Sequence, residues 1–123
     1  MTQNERELLI RDLSARVPYG VKMSFRCNRT HVIKSIHPSG LIITSEVVTK
    51  AITTTDVENT KPYLFPMSSM TEEQLKSFDG VFLPNGHVVA SDLGIDYLNS
   101  IHVDYRGLIP MGLALDATGK DIY

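Results

Sequence analysis

The spacing of apolar and polar positions changes several times along the chain, and each change predicts an element. Leu9, Leu13 and Val17 recur on one helical face, with Leu8 beside them and charged residues opposite. Thr2 followed by Glu5 adds a capping box, so a helix is expected over 3–16. Pro18-Tyr19-Gly20 ends it, because proline cannot continue a helix and glycine accepts the turn. From residue 21 the period is two. Val21, Met23, Phe25 and Cys27 face one side and Lys22, Ser24, Arg26 and Asn28 the other, the pattern of a half-buried strand. Asn28-Arg29-Thr30 turns the chain into a second strand over 31–36, and His37-Pro38-Ser39-Gly40 turns it into a β-branched run over 41–52. Three successive strands on short turns predict an antiparallel meander.

Residues 53–70 follow neither period. Pro62 and Pro66 bracket Tyr63-Leu64-Phe65, and an irregular segment is expected there. Thr71-Glu72-Glu73-Gln74 is a second capping box, opening a short helix that ends near Phe78. Residues 80–90 read as a hairpin across Pro84-Asn85-Gly86, and Ser91 caps a third helix in which Leu93, Tyr97, Leu98 and Ile101 share a face. Asp104-Tyr105-Arg106-Gly107 then leads into the apolar segment 108–115. Its side chains are too costly to leave in water, so it is expected to dock on the core, partly as an edge strand, with 117–123 dispensable. The fold class that follows is α+β in two layers: an antiparallel sheet of three to five strands with two longer helices and one short one. A single globular domain over 1–123 is expected.

Composition narrows the class of protein. With 123 residues, 42% apolar and 21% charged, the chain can build a core without metal or disulfide staples. The lone Cys27 makes no internal disulfide, the charged start lacks the apolar stretch of a signal peptide, and no run approaches a membrane span. A cytoplasmic protein without a membrane partner is expected. Net charge is −2, but residues 1–40 hold seven Lys and Arg against three Asp and Glu, while the acidic excess lies beyond.

Two stretches, KPYLFPMSSMTEEQ (61–74) and DYRGLIPMGLALDATG (104–119), carry a resemblance, the second preceded by a helix ending Tyr97-Leu98-Asn99. With the opening RDLSARVPYGVK (11–22), they resemble a large group of small uncharacterised proteins of anaerobic gut bacteria and their phages or integrated prophages. The likeness runs through most of the chain in the same order, while 23–60 and 80–96 show little of it. It implies a setting, a phage or mobile element in a bacterial cytoplasm, where accessory factors bind a host component or a small signal. It implies no activity and carries no catalytic or binding residue.

Candidate chemistry is sparse. His31, His37, His87 and His102 lack the spacing that sets two ligands on one helix face, so no metal is expected. Neither a nucleophile elbow nor a phosphate-binding glycine loop is present, and no catalytic residue or cofactor is assigned. Cys27 reads as a core residue of the first strand, and Asp92, Asp96 and Asp104 as a solvated acidic face. Lys22, Arg26, Arg29 and Lys34 in the meander are the candidate ligand-binding residues, for a nucleotide-like anion. Nucleic acid is disfavoured, because Phe25 points to the opposite face by parity and leaves no stacking platform. Tyr105, Arg106, Leu108 and Ile109 are the candidate interface, since arginine and tyrosine beside apolar residues anchor protein contacts. The function expected is that of a non-enzymatic accessory protein acting through protein–protein contacts or self-association, with anion binding as the alternative and an enzyme third.

Overall fold

A computed structural model describes residues 1–25, 29–84 and 87–123. Arg26, Cys27 and the Asn85-Gly86 turn, all singled out above, lie outside the described residues. Helix α1 (Gln3–Arg16) begins on the expected capping box, with Thr2 accepting from the Glu5 backbone and Glu5 reaching back. It runs into a short 3-10 turn, Val17–Tyr19, and stops at Gly20 in the left-handed region. The meander follows as β1 (Lys22–Phe25), β2 (Arg29–Ile36) and β3 (Leu41–Glu46), paired antiparallel.

The run over 41–52 is two strands rather than one. Glu46 accepts the backbone N–H and the hydroxyl of Thr49, Lys50 takes φ 63°, and the chain reverses into β4 (Ile52–Asp56). Residues 53–70 are not irregular. After a 3-10 turn at Val57–Asn59 comes β5 (Lys61–Pro66), which joins the meander to the C-terminal half. It pairs antiparallel with β1 through Lys61 and Pro62, and parallel with β8 (Val103–Asp104) and β9 (Leu115–Asp116). Among the described residues the sheet is therefore seven-stranded and mixed, in the order β4-β3-β2-β1-β5-β8 with β9 on β5, not three to five strands and not purely antiparallel. Both prolines sit near the ends of β5, while Leu64 and Phe65 supply central bonds: Leu64 O accepts from Ala117 at 2.8 Å and Phe65 N donates to His102 O at 2.8 Å.

Helix α2 (Glu72–Ser77) starts on the second capping box, and β6 (Gly80–Phe82) with β7 (Val88–Ala90) forms the expected hairpin as a separate sheet. Helix α3 (Asp92–Ser100) is capped by Ser91, but Leu93 is exposed rather than on the buried face with Leu98. Two apolar clusters result among the described residues. The larger sets Leu9 and Leu13 of α1 against Val21, Met23, Ile33, Ile42 and Leu64 of the sheet side, with Leu108 and Leu113 from the C-terminal segment. The smaller gathers Met70, Phe78, Leu98 and Val103.

The segment 108–115 docks as expected, with Leu108, Leu113 and Ala114 buried, although Met111 is exposed. Residues 117–123 are not a loose end. Ala117 is buried, and the Tyr123 hydroxyl accepts from Lys22 N at 2.8 Å and donates to Tyr63 O at 2.7 Å. The Tyr123 ring stacks on His102, centroids 3.7 Å apart. The polar composition of 117–123 predicts a dispensable tail, but its one aromatic residue packs on Phe65 and bonds Tyr63 O of the sheet.

Candidate functional site

An open cleft of about 560 Å³ lies between β7, α3 and the turn after β8. Met67, Val88 and Ile95 give it apolar walls; His87, Tyr105 and Arg106 give it polar groups. Gly94 allows this arrangement: a Cβ there would strike the Asp79 carbonyl and meet Ala90 at 3.1 Å, so only glycine lets α3 come this close to the hairpin. The hairpin side is stiffened by Phe78 and Phe82, stacked at 4.8 Å, and by Ser91 Oγ donating to Asp79 at 2.8 Å.

The turn beneath the cleft is fixed by Asp104. Its carboxylate accepts the N–H groups of Leu108 and Ile109, both at 2.8 Å, while Gly107 takes φ 76°. These bonds aim Tyr105 and Arg106 at the cleft. Arg106 Nε donates to Asp12 at 3.1 Å and Arg106 Nη2 to the Tyr105 hydroxyl at 3.1 Å; that hydroxyl donates to Asn99 Oδ1 at 3.0 Å. Behind them Arg16, with 0% of its surface exposed, donates to the same Asp12 carboxylate at 2.8 Å and to Val103 O at 2.7 Å. Both guanidiniums lie against the Tyr105 ring, 5.3 and 5.0 Å from its centroid. Two cations thus share the one carboxylate of Asp12. Arg16 Nη1 is buried with no hydrogen-bond partner among the described residues.

The sequence reading missed Asp12 and Arg16, although a signal was present. Residues 9, 12, 13 and 16 form one helical stripe, so both charges sit on the Leu9–Leu13 face and not opposite it. Of the expected interface residues, Tyr105 and Arg106 line the cleft. Leu108 is instead buried in the core and Ile109 packs against that core, because Asp104 folds the chain inward at this point.

Of the basic meander residues that are described, Lys22 and Arg29 share a separate cleft of about 320 Å³ that Lys34 does not line; Glu46 and Asp121 line it too. The Lys22 ammonium is already bonded to Ile122 O at 2.7 Å, and Thr49 holds the Glu46 carboxyl below its usual range. Lys34 lies elsewhere, where the β2–β3 register shifts between Ile33 and Ser35. His31 bonds Thr44 at 2.9 Å and His37 bonds Ser39 at 2.8 Å. No cluster of three or more His, Cys, Asp and Glu able to hold a metal occurs among the described residues. Among them too, no helix is long and apolar enough to cross a membrane.

These features define an α+β protein with, among the described residues, three α-helices, a mixed sheet and a cleft whose arginine and tyrosine are held from behind. No family model, curated protein or solved structure matches the chain.

Proposed function

We propose that this is a non-enzymatic accessory protein of a phage or other mobile element, working in the bacterial cytoplasm by holding a segment of a protein partner in the cleft at Tyr105 and Arg106. The observation that carries this reading is the hydrogen-bonded chain Arg16–Asp12–Arg106–Tyr105–Asn99, which fixes two residue types favoured at binding hot spots before any partner arrives. Side chains already held lose little entropy on binding. At about 560 Å³, the cleft falls in the range of roughly 300–1,000 Å³ typical of ligand sites. The shared Asp12 leaves the Arg16–Asp12–Arg106 triad with an excess positive charge, so the segment that fits carries a carboxylate beside an apolar side chain. The apolar residue would rest on Met67, Val88 and Ile95.

The test is capture from a lysate of the native host with a photo-reactive group at position 88, the cross-linked product being mapped by mass spectrometry. One protein should be labelled by the parent chain and lost with Arg106→Gln and with Ile95→Glu, while Lys34→Gln, remote from the cleft, keeps it. Labelling indifferent to Arg106 and Ile95 rejects the cleft as the binding site.

A further inference from the structure

We propose that two copies of this chain join through strand β4, edge to edge and antiparallel, extending the mixed sheet across a two-fold axis at Thr54. β4 ends the sheet, with β3 as its one neighbour among the described residues. Glu46 N donates to Ala51 O at 2.9 Å and Val57 N to Gly40 O at 2.8 Å, which sets the alternation of the β3–β4 ladder. By that alternation Thr53 and Thr55 bond toward β3, and the backbone groups of Ile52, Thr54 and Asp56 point outward. The Asp56 carbonyl already accepts the Thr60 hydroxyl at 3.0 Å, which leaves it a second lone pair.

An antiparallel copy centred on Thr54 brings outward groups opposite outward groups: Thr54 faces Thr54, and Ile52 faces Asp56. Each of these pairs can exchange both N–H···O bonds. A register displaced by one residue would set outward groups against groups already bonded to β3. The side chains favour the same axis. Leu41, Ile43 and Ile52 are 49%, 37% and 66% exposed, and Leu41 and Ile43 stand beside Asp56 and Thr54 on β4. In the pair, Ile43 of each copy flanks the central threonines, and Ile52 of one copy reaches Asp56 and Leu41 of the other. No like charges face each other within the strands. Beyond their ends Lys50 of one copy approaches Glu58 of the other, where Arg6, Asp56 and Glu58 together carry an excess negative charge. Edge strands that avoid association carry lysine, proline or a bulge, and β4 has none of these.

The mass of the full chain in solution, measured by light scattering after size exclusion over a hundredfold range of concentration, decides it. The parent protein should reach twice the chain mass. Thr54→Pro should give the single-chain mass with its cooperative melt retained, because the Thr54 N–H takes no part in the β3 ladder. Glu58→Lys should weaken dimerisation about tenfold or more by facing Lys50, and Lys50→Glu combined with Glu58→Lys should restore it. A single-chain mass at every concentration overturns the proposal. So does a dimer that survives both Thr54→Pro and Glu58→Lys.

Discussion

His102 makes the acid stability of this protein predictable. It holds φ 62°, is 8% exposed, stacks on Tyr123 and leaves Nδ1 without a hydrogen-bond partner among the described residues. Burial first, then the charges of Arg16 and Lys22, lower its pKa from 6.5 to about 4. Between those values the unfolded chain binds a proton that the folded chain refuses. Stability therefore falls as pH drops through 6.5, and the whole loss is present below about 4. At about 1.4 kcal/mol per pKa unit, the loss is on the order of 3 kcal/mol. His102→Asn removes the titration while keeping a residue that tolerates positive φ. The assay is urea unfolding of both proteins between about pH 7.5 and about pH 4, read as the difference between them. That subtraction matters because Glu5, Glu46, Asp56 and Asp116 have lowered pKa values and weaken both folds in acid. The difference should move by about 3 kcal/mol in favour of the variant. A difference that does not change with pH would refute the reasoning, because it would mean that His102 takes up its proton in the folded state.

Two further substitutions probe the supports of the cleft and of the tail. Asp12→Ala leaves Arg16 buried beside Arg106 with no carboxylate and should cost about 3–5 kcal/mol in urea unfolding, whereas a loss below about 1 kcal/mol would place that pair in a solvated setting. Tyr123→Phe removes the partner of Lys22 N and of Tyr63 O and should cost about 1 kcal/mol, lowering the thermal midpoint; an unchanged midpoint would show that the tail does not hold the sheet.

What could be read in the sequence was what local chemistry determines. Thr2-to-Glu5 and Thr71-to-Gln74 mark helix starts because each capping box closes within one turn, and the alternation of Val21 and Met23 marks a strand because one face is buried. β5 escaped that reading since its pattern is set from outside. Pro62, Tyr63 and Leu64 are buried in succession on a strand flanked by strands from residues 103 and 115, so no period-two signal survives. The cleft divides the same way. Tyr105 and Arg106 stood out as a dense polar cluster, but Met67, Val88 and Ile95 come from three other elements and carry no shared local pattern.

Asp12 and Arg16 show why the missing part matters. A charged pair on an apolar helical stripe is costly to bury unless each group is satisfied, and α1 alone supplies no partner beyond the pair itself. Satisfaction comes from far along the chain, through Val103 O to Arg16 and Arg106 Nε to Asp12. Those contacts join α1, which packs in the larger apolar cluster, to the strand and turn bordering the smaller one. The polar network therefore connects the two clusters while it aims Arg106 and Tyr105 at the cleft. Replacing the whole network with apolar residues of similar volume would keep the packing but remove the donors that orient Arg106 and Tyr105, whereas removing one member leaves a buried charge without its partner.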